Sequence, residues 1–226
     1  MSSPMDNKFI ALTPEIYAYL EDKRSDAPDG LLAELRRETA ALGDISAMQI
    51  APEQGTFLRI LAGVSGAQRA LEIGTFTGYS SLCIARGLKE DASLTCLDQS
   101  GDWTQIARKF WKRAGVESRI DLRLGDAHET LKALVTEGST FDFVFIDADK
   151  TGYDEYFETL VPHLAPDALL IFDNMLRGGR LAQNSLTTDD DIALDALNKK
   201  LARDERVESV LLAVADGLMI CRFKGV

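Results

Sequence analysis

Basic charge, cysteine and histidine are scarce in this 226-residue chain, and each scarcity removes a class of function. Lys and Arg number 25 against 36 Asp and Glu, a formal net charge of −11. A surface of that sign repels a phosphate backbone and an anionic membrane, and no segregated basic patch offsets it. The expected partner is therefore a small molecule, not nucleic acid and not a membrane. The three cysteines, Cys83, Cys96 and Cys221, are odd in number, widely spaced and set in apolar contexts ("SLCIA", "LTCLD", "MICRF"). They are expected to be buried thiols, neither a disulfide framework nor a zinc site. The two histidines, His128 and His163, lie away from any strand-end acid in sequence and are given no role. No apolar stretch approaches the ~20 residues that cross a bilayer. "MSSPMDNKFI" lacks an apolar signal core, so a cytoplasmic location is expected.

What is present is an ordered alternation. To about residue 64, "EIYAYLEDK", "LLAELRRETAAL" and "EQGTFLRILAGV" carry apolar residues at helical spacing. From Arg69, short apolar runs ("RALEI", "SLTCLD", "IDLRLG", "FDFVFID", "ALLIFD") alternate with helical segments. That pattern predicts parallel strands joined by right-handed crossovers, buried on both faces. The end breaks the rule. "ESVLLAV" and "GLMICRF" are separated only by Ala215, Asp216 and Gly217, too short for a crossover, so they form an antiparallel hairpin. The expected fold is α/β: a Rossmann-like, seven-stranded, mostly parallel sheet with an antiparallel strand near the C-terminus. It fills one domain, with 1–64 a helical extension and 65–226 the core. The polar loop 177–191, after a strand's C-terminal end, is placed where functional loops occur. The acids of "DDD" at 189–191 suit a helix N-terminus.

Residues 71–80 read "LEIGTFTGYS". Gly74 and Gly78 fall between a strand and a helix, where they permit a sharp turn and close approach to a ligand. Helix N-terminal amides there offer donors to an anionic group. Asp98, twenty-six residues after Glu72, ends the next strand, where a carboxylate accepts two bonds from a ribose diol. Together these features describe a nucleoside site. A dinucleotide enzyme carries G-x-G-x-x-G, and "EIGTFTG" lacks the G-x-G pair. Glu72 is poorly placed for a pyrophosphate and well placed for a cationic amino group. S-adenosylmethionine has an ammonium and a ribose but no phosphate.

The chain resembles the cation-dependent O-methyltransferases of the caffeoyl-CoA and catechol type, closer to the former. The resemblance runs from about Lys8 to Phe223 and is carried by "MQIAPEQGTFL", "LEIGTFTGYSSL", "FDFVFIDADK", "FDNML" and "DGLMICR". It implies S-adenosylmethionine contacts at Met48, Ile50, Glu72, Gly74, Thr75, Ser80, Asp98, Ala127 and Asp147. It places Lys8, Asp149 and Gly178 near the acceptor, a catechol-bearing phenolic. It also implies a homodimer paired through apolar surface. At the loop after "FDN" the family's usual "DNTLWNG" is "DNMLRGG" here, so Arg177 stands for an aromatic residue and acceptor preference is expected to differ.

Asp147 ends one strand in "IDADK", and Asp173 ends the next in "FDN". Neighbouring parallel strands lie roughly 5 Å apart, so Asp147, Asp173 and Asn174 can converge on one cation. Three oxygen donors suit a hard ion, Mg²⁺ or another divalent cation such as Mn²⁺ or Ca²⁺. On the residues alone, the acids could equally cap the following helices; the resemblance favours the metal. A chelating catechol would be acidified by the ion, and Lys150 would accept the proton, as its family counterpart is thought to do. The alternatives are an NAD-dependent oxidoreductase on a similar sheet and a non-catalytic cofactor-binding protein. A binding module has no use for Lys150 beside two strand-end acids.

Overall fold

The structure is a computed structural model that describes residues 10–25, 29–183 and 186–225. Seven strands form one sheet: β1 (Arg69–Ile73), β2 (Ser93–Asp98), β3 (Ile120–Leu124), β4 (Phe141–Ile146), β5 (Leu164–Phe172), β6 (Val207–Leu212) and β7 (Leu218–Phe223). Their order is β3-β2-β1-β4-β5-β7-β6. The first five pair in parallel, and β7 runs antiparallel to both of its neighbours. The reversed strand is thus slotted between β5 and β6. The short connection, 213–217, makes β6 and β7 antiparallel neighbours.

The central strands are continuous apolar runs because both faces are covered. On one face lie α3 (Pro52–Ser65), α4 (Tyr79–Gly87) and α5 (Gly101–Arg113), packed around Leu82, Phe110, Trp111 and Phe145. On the other lie α6 (Ala127–Thr136), α7 (Tyr153–Leu160) and α8 (Asp189–Leu201), around Tyr153, Phe157, Leu170 and Leu194. Phe110 and Trp111 are core, and all three cysteines are buried with no disulfide. Two further helices precede α3: α1 (Pro14–Asp22) and α2 (Gly30–Ala40). Asp29 caps α2 by accepting from the amides of Leu31 and Leu32, and its other oxygen pairs with Arg86 of α4 at 2.7 Å. Leu32 and Leu35 of α2 are buried, whereas α1 buries no residue. Among the described residues, no helix is long and apolar enough to cross a membrane.

Two boundaries differ from the expected ones. β5 begins at Leu164, four residues before the apolar run "ALLIF". Pro166 and exposed Asp167, at φ 63, interrupt the pattern, and the register with β4 slips there before resuming at Phe143 and Leu169. That is a bulge, which an alternation of apolar residues does not reveal. The helical segment "YDEYFETLVPHL" ends as α-helix at Leu160 and tightens to a 3₁₀ turn over Val161–His163, where Pro162 has no amide to give.

The register sets up the site. Ile146 of β4 lies between Ile73 of β1 and Phe172 of β5. The next amides continue the ladder: Asp147 N donates to Ile73 O at 2.8 Å, and Asp173 N to Ile146 O at 3.0 Å. Three chain exits therefore emerge side by side. Gly74 makes room for this. At its φ of 92, a Cβ would stand 2.0 Å from the carbonyl oxygen of Asp147. Gly138, at φ 87, has nothing within 4 Å of such a Cβ. Alanine at 138 should thus cost only about 1 kcal/mol of backbone strain. Alanine at 74 should cost about 3 kcal/mol or more, because backbone must separate from backbone. Urea unfolding of the two variants checks this; equal losses would remove the steric role of Gly74.

Candidate active site

The loop after β1 turns through left-handed conformations at Gly74, Phe76 (φ 50) and Gly78 (φ 83). Its amides have a partner already. Thr75 N and Phe76 N donate to Asp98 Oδ2 at 3.0 and 2.7 Å, and Ser100 N donates to Asp98 Oδ1 at 2.7 Å. The anionic group held by these loop amides is the protein's own carboxylate; the helix N-terminal amides of the expectation lie further on, from Tyr79. The glycines also have close protein neighbours. Gly74 faces the Asp147 backbone, and a Cβ on Gly78 would stand 2.5 Å from Ala107 Cβ, so it lets α4 start against α5. A carboxylate offers about four acceptor positions. Asp98 uses three on amides and lines the cleft with what remains.

Beneath the loop, Glu72 is fully buried. Oε2 accepts a long bond from Cys96 Sγ at 3.6 Å, while Oε1 has no hydrogen-bond partner among the described residues. Burial pushes its carboxyl up to about 8; the Ser80, Thr75 and Cys96 side chains oppose the shift, and the charge of Asp147 adds to it. An uncompensated buried acid is expensive unless a cation arrives. The facing wall is tied to the same loop. Thr39 donates to Thr77 Oγ1 at 2.8 Å, and Gln49 Nε2 donates to Thr39 Oγ1 at 2.9 Å. That cross-link holds the segment carrying Met48 and Ile50 over the loop.

At the ends of β4 and β5 the acids meet. Asp147 and Asp173 interact strongly enough that the Asp173 carboxyl is held well above its ordinary range, first by burial and then by the charge of Asp147. Lys150 Nζ donates to Asp147 Oδ1 at 2.7 Å and to Tyr153 Oη at 2.8 Å. Asn174 adopts a φ of 59, and its amide nitrogen donates to Asp173 Oδ1 at 2.6 Å. Asp149, two residues after Asp147, accepts from Tyr156 Oη at 2.6 Å.

One cleft of about 800 Å³ gathers these groups. Met48, Ile50, Gly74, Thr75, Ser80, Asp98, Ala127, Asp147, Asp149, Lys150, Asp173 and Asn174 all line it. Glu72 sits under its floor. Gly178 is exposed one residue beyond the rim, with its amide bound by Asp216. Lys8 lies outside the described residues. Trp103, edge-on to Phe76 with centroids 5.1 Å apart, closes the end near Asp98. Arg177 reaches the cleft, but its guanidinium is tethered to Asp190 and Asp191 at 3.1 and 3.3 Å. Asp191, fully buried, also binds Arg180 at 2.8 Å. The last acid of "DDD" thus anchors the polar loop as well as beginning α8.

Sequence reasoning missed His128, which lines the cleft and faces Asp149. Its distance from the strand-end acids in sequence hides a closeness that the fold creates. Gln54, buried beside Asp173 on the cleft wall, was read only as part of a helical stripe.

A parallel sheet whose carboxyl ends carry a buried acid, a second acid at β2 and a reversed penultimate strand defines a class I methyltransferase architecture. A family model described as O-methyltransferase matches residues 22–224. A probable caffeoyl-CoA O-methyltransferase of Dictyostelium discoideum is 40% identical over 171 residues, 74% of each chain. The caffeoyl-CoA O-methyltransferase of Populus kitakamiensis is 34% identical over 203 residues, covering 84% of this chain and 85% of that one. The O-methyltransferase from Bacillus cereus, solved in complex with SAH, superposes with a TM-score of 0.85 at 31% identity, over 93% of this chain and 97% of that one. The chain belongs to the O-methyltransferase family, S-adenosylmethionine-dependent enzymes of the caffeoyl-CoA type. The resemblance read from the sequence is borne out, and the oxidoreductase and non-catalytic alternatives fall away.

The state of Glu72 is open to test through stability. Its folded pKa of about 8 lies above the ordinary 4.5. The protonated carboxyl's contribution is therefore complete below about pH 4.5 and is lost as pH rises through 8. Glu72→Gln, which cannot ionise, should flatten the fall in melting temperature between pH 5 and 8 for the ligand-free protein. A variant whose profile parallels the wild type would mean that Glu72 is ionised throughout.

Proposed function

We propose that this enzyme methylates a hydroxyl of a catechol-like phenolic small molecule, with a divalent cation held by Asp147, Asp173 and Asn174. One observation carries the reading: a buried carboxylate, Asp173, and a half-buried one, Asp147, stand at adjacent strand ends and repel each other, with the Lys150 ammonium paired to Asp147. A hard cation relieves that repulsion, and two carboxylates with an amide oxygen are the donors it prefers. The orphaned Glu72 oxygen supports the cofactor in the same way, since an ammonium supplies the partner it lacks.

Glu72 would hold the amino group of the cofactor, and Asp98 would accept from its ribose hydroxyls. Met48, Ile50, Gly74, Thr75, Ser80 and Ala127 wall that end, and Asp147 borders both ligands. When bound, S-adenosylmethionine supplies an electrophilic methyl on a sulfonium, which an acid-lined cleft favours by charge. When bound, the cation makes a chelating hydroxyl a stronger acid. Lys150, after shedding its own proton, would receive that of the acceptor hydroxyl at Nζ, with Tyr153 Oη holding it in place. The cleft walls would supply the rest of the rate by positioning the acceptor hydroxyl against the cofactor. Asp149, Gly178 and Lys8 would flank the acceptor. The acidic chain argues for a simple catechol over a polyanionic coenzyme A thioester, and Arg177 at the rim alters the wall where the family has an aromatic residue.

Chelator should abolish turnover on a catechol, and Mg²⁺ should restore it. Asp147→Ala and Asp173→Ala should each lose the metal-dependent rate. Lys150→Ala should retain metal and cofactor binding but slow by about 10²–10⁴-fold, the usual worth of a general base, with the deficit shrinking at higher pH. Full activity in excess chelator would end the metal reading; an undiminished Lys150→Ala enzyme would end the base.

We further infer a homodimer. Tyr19 and Leu20 of α1 and Ile60 and Val64 of α3 expose large apolar side chains, Val64 at 75%. Exposed apolar area of this kind marks an association surface. Light scattering at micromolar concentration should give twice the chain mass, 24.8 kDa each; a monomer mass overturns the inference.

A further inference from the structure

His128 opens α6 directly after Ala127, and its ring is held from four sides. It stacks on Tyr156 of α7 with centroids 4.2 Å apart and planes 15° from parallel. Nε2 lies 3.4 Å from Asp149 Oδ2, and Nδ1 lies 3.5 Å from Glu155 Oε2. Each ring nitrogen faces a carboxylate, so whichever carries the proton has an acceptor. The fourth side is Gly152. A Cβ there would stand 2.3 Å from Asp149 Oδ2 and 2.6 Å from His128 Nε2, so only glycine lets histidine and aspartate close together.

Asp149 is thereby fixed at both oxygens, Oδ1 by Tyr156 and Oδ2 by His128. The aspartate side chain remains half exposed and lines the cleft. A polar contact that open contributes little to stability. Three elements nevertheless converge on it: α6, the 150–152 turn and α7. The convergence is better explained by what Asp149 presents to the cleft than by what it adds to the fold.

We propose that His128 is a positioning residue for methyl transfer. With Tyr156 it fixes the Asp149 carboxylate at the cleft mouth, aimed to accept a hydrogen bond from a hydroxyl of a bound ligand. That hydroxyl belongs either to the cofactor ribose or to the phenolic acceptor. The inference rests on the functional reading above. Asp149 also precedes Lys150 in the same short turn, so the clamp steadies the segment that carries the proposed base.

The test uses the full chain as wild type, His128→Ala, His128→Gln, Tyr156→Phe and the double variant His128→Ala/Tyr156→Phe. Three quantities are read: the dissociation constant of S-adenosylhomocysteine by calorimetry, the catechol KM and kcat at saturating cofactor, and the melting temperature. His128→Ala should leave the melting temperature within error and weaken one ligand by about 3- to 30-fold, which falls within the couplings measured between contacting residues. Weaker S-adenosylhomocysteine binding identifies the ribose. A raised catechol KM with unchanged S-adenosylhomocysteine affinity identifies the acceptor. His128→Gln, which keeps a donor near Asp149, should recover most of the loss, and the double variant should be no worse than the poorer single one. The proposal is overturned if both ligands bind His128→Ala as they bind wild type. It is also overturned if the two substitutions add in full, or if the loss merely follows a fall in melting temperature that glutamine does not rescue. A wild type that neither binds S-adenosylhomocysteine nor transfers methyl removes the functional reading itself, and the positioning role with it.

Discussion

The parallel register of β1, β4 and β5 is the constraint on which the site depends. The ladder continues one residue past each strand, with Asp147 N on Ile73 O and Asp173 N on Ile146 O. Parallel strands start their following loops from the same edge, so residues distant in sequence leave the sheet within one strand spacing of each other. Gly74 is part of this constraint, because only a residue without a Cβ lets the β1 exit pass under the Asp147 carbonyl. A slip of one residue in β4 would turn Asp147 toward the opposite face and dissolve the cluster. The helices serve this edge: α7 supplies Tyr153 and Tyr156 to Lys150 and Asp149, and α6 supplies His128.

Bringing acids together in this way opposes stability. Glu72 and Asp173 are desolvated and face like charge from Asp147, and both carboxyls are held above their ordinary range. Within the described cleft the acids outnumber the cations, and one cation, Arg177, is already neutralised by Asp190 and Asp191. A site built only for folding would pair these acids or replace them with apolar residues. Their retention suits a ligand that brings positive charge, as S-adenosylmethionine does with its sulfonium and ammonium, and under the proposed function a divalent ion at the strand ends would add to it. The chain's overall net charge of −11 acts in the same direction at longer range.

Much of this was legible in the sequence because the signals are local. "RALEI" and "SLTCLD" coincide with β1 and β2 to the residue, since each is a short, mostly apolar run set between a turn and a helical segment. The reversed strand followed from a three-residue connection. The strand-end acids Asp98, Asp147 and Asp173 were legible because topology places them, whereas Met48, Ile50, Ser80, Ala127 and Asp149 were legible only through the family resemblance. What failed to register depends on contacts between elements. His128 has no sequence neighbour that marks it; its meaning comes from Tyr156 and Gly152, more than twenty residues on. The bulge at Pro166 and Asp167 is hidden because the side-chain pattern records which face is buried, and a bulge changes the count without changing the face. The glycines at 74 and 78 were rightly read as turns, but what they approach is backbone and Ala107, a distinction only packing supplies.

Asp98 shows how one carboxylate serves both fold and site. Three amides, two from the loop and one from the start of α5, converge on it at 2.7–3.0 Å. Charge-assisted bonds of this kind fix the loop before any ligand arrives. They also keep the carboxylate in the orientation from which its remaining acceptor position meets the cleft. Glu72 is the opposite case: buried, short of partners and pushed toward neutrality. A ligand presenting hydroxyls to Asp98 finds that acceptor already organised, so little is spent on ordering it. The ammonium of the same ligand meets a carboxyl that becomes favourable to ionise only once the positive charge is beside it. Under the proposed function, recognition at the ribose end would be preorganised by Asp98, whereas recognition at the amino end would be induced by charge at Glu72. The loop between them, 74–78, is the piece of backbone that Asp98 holds still through Thr75 and Phe76.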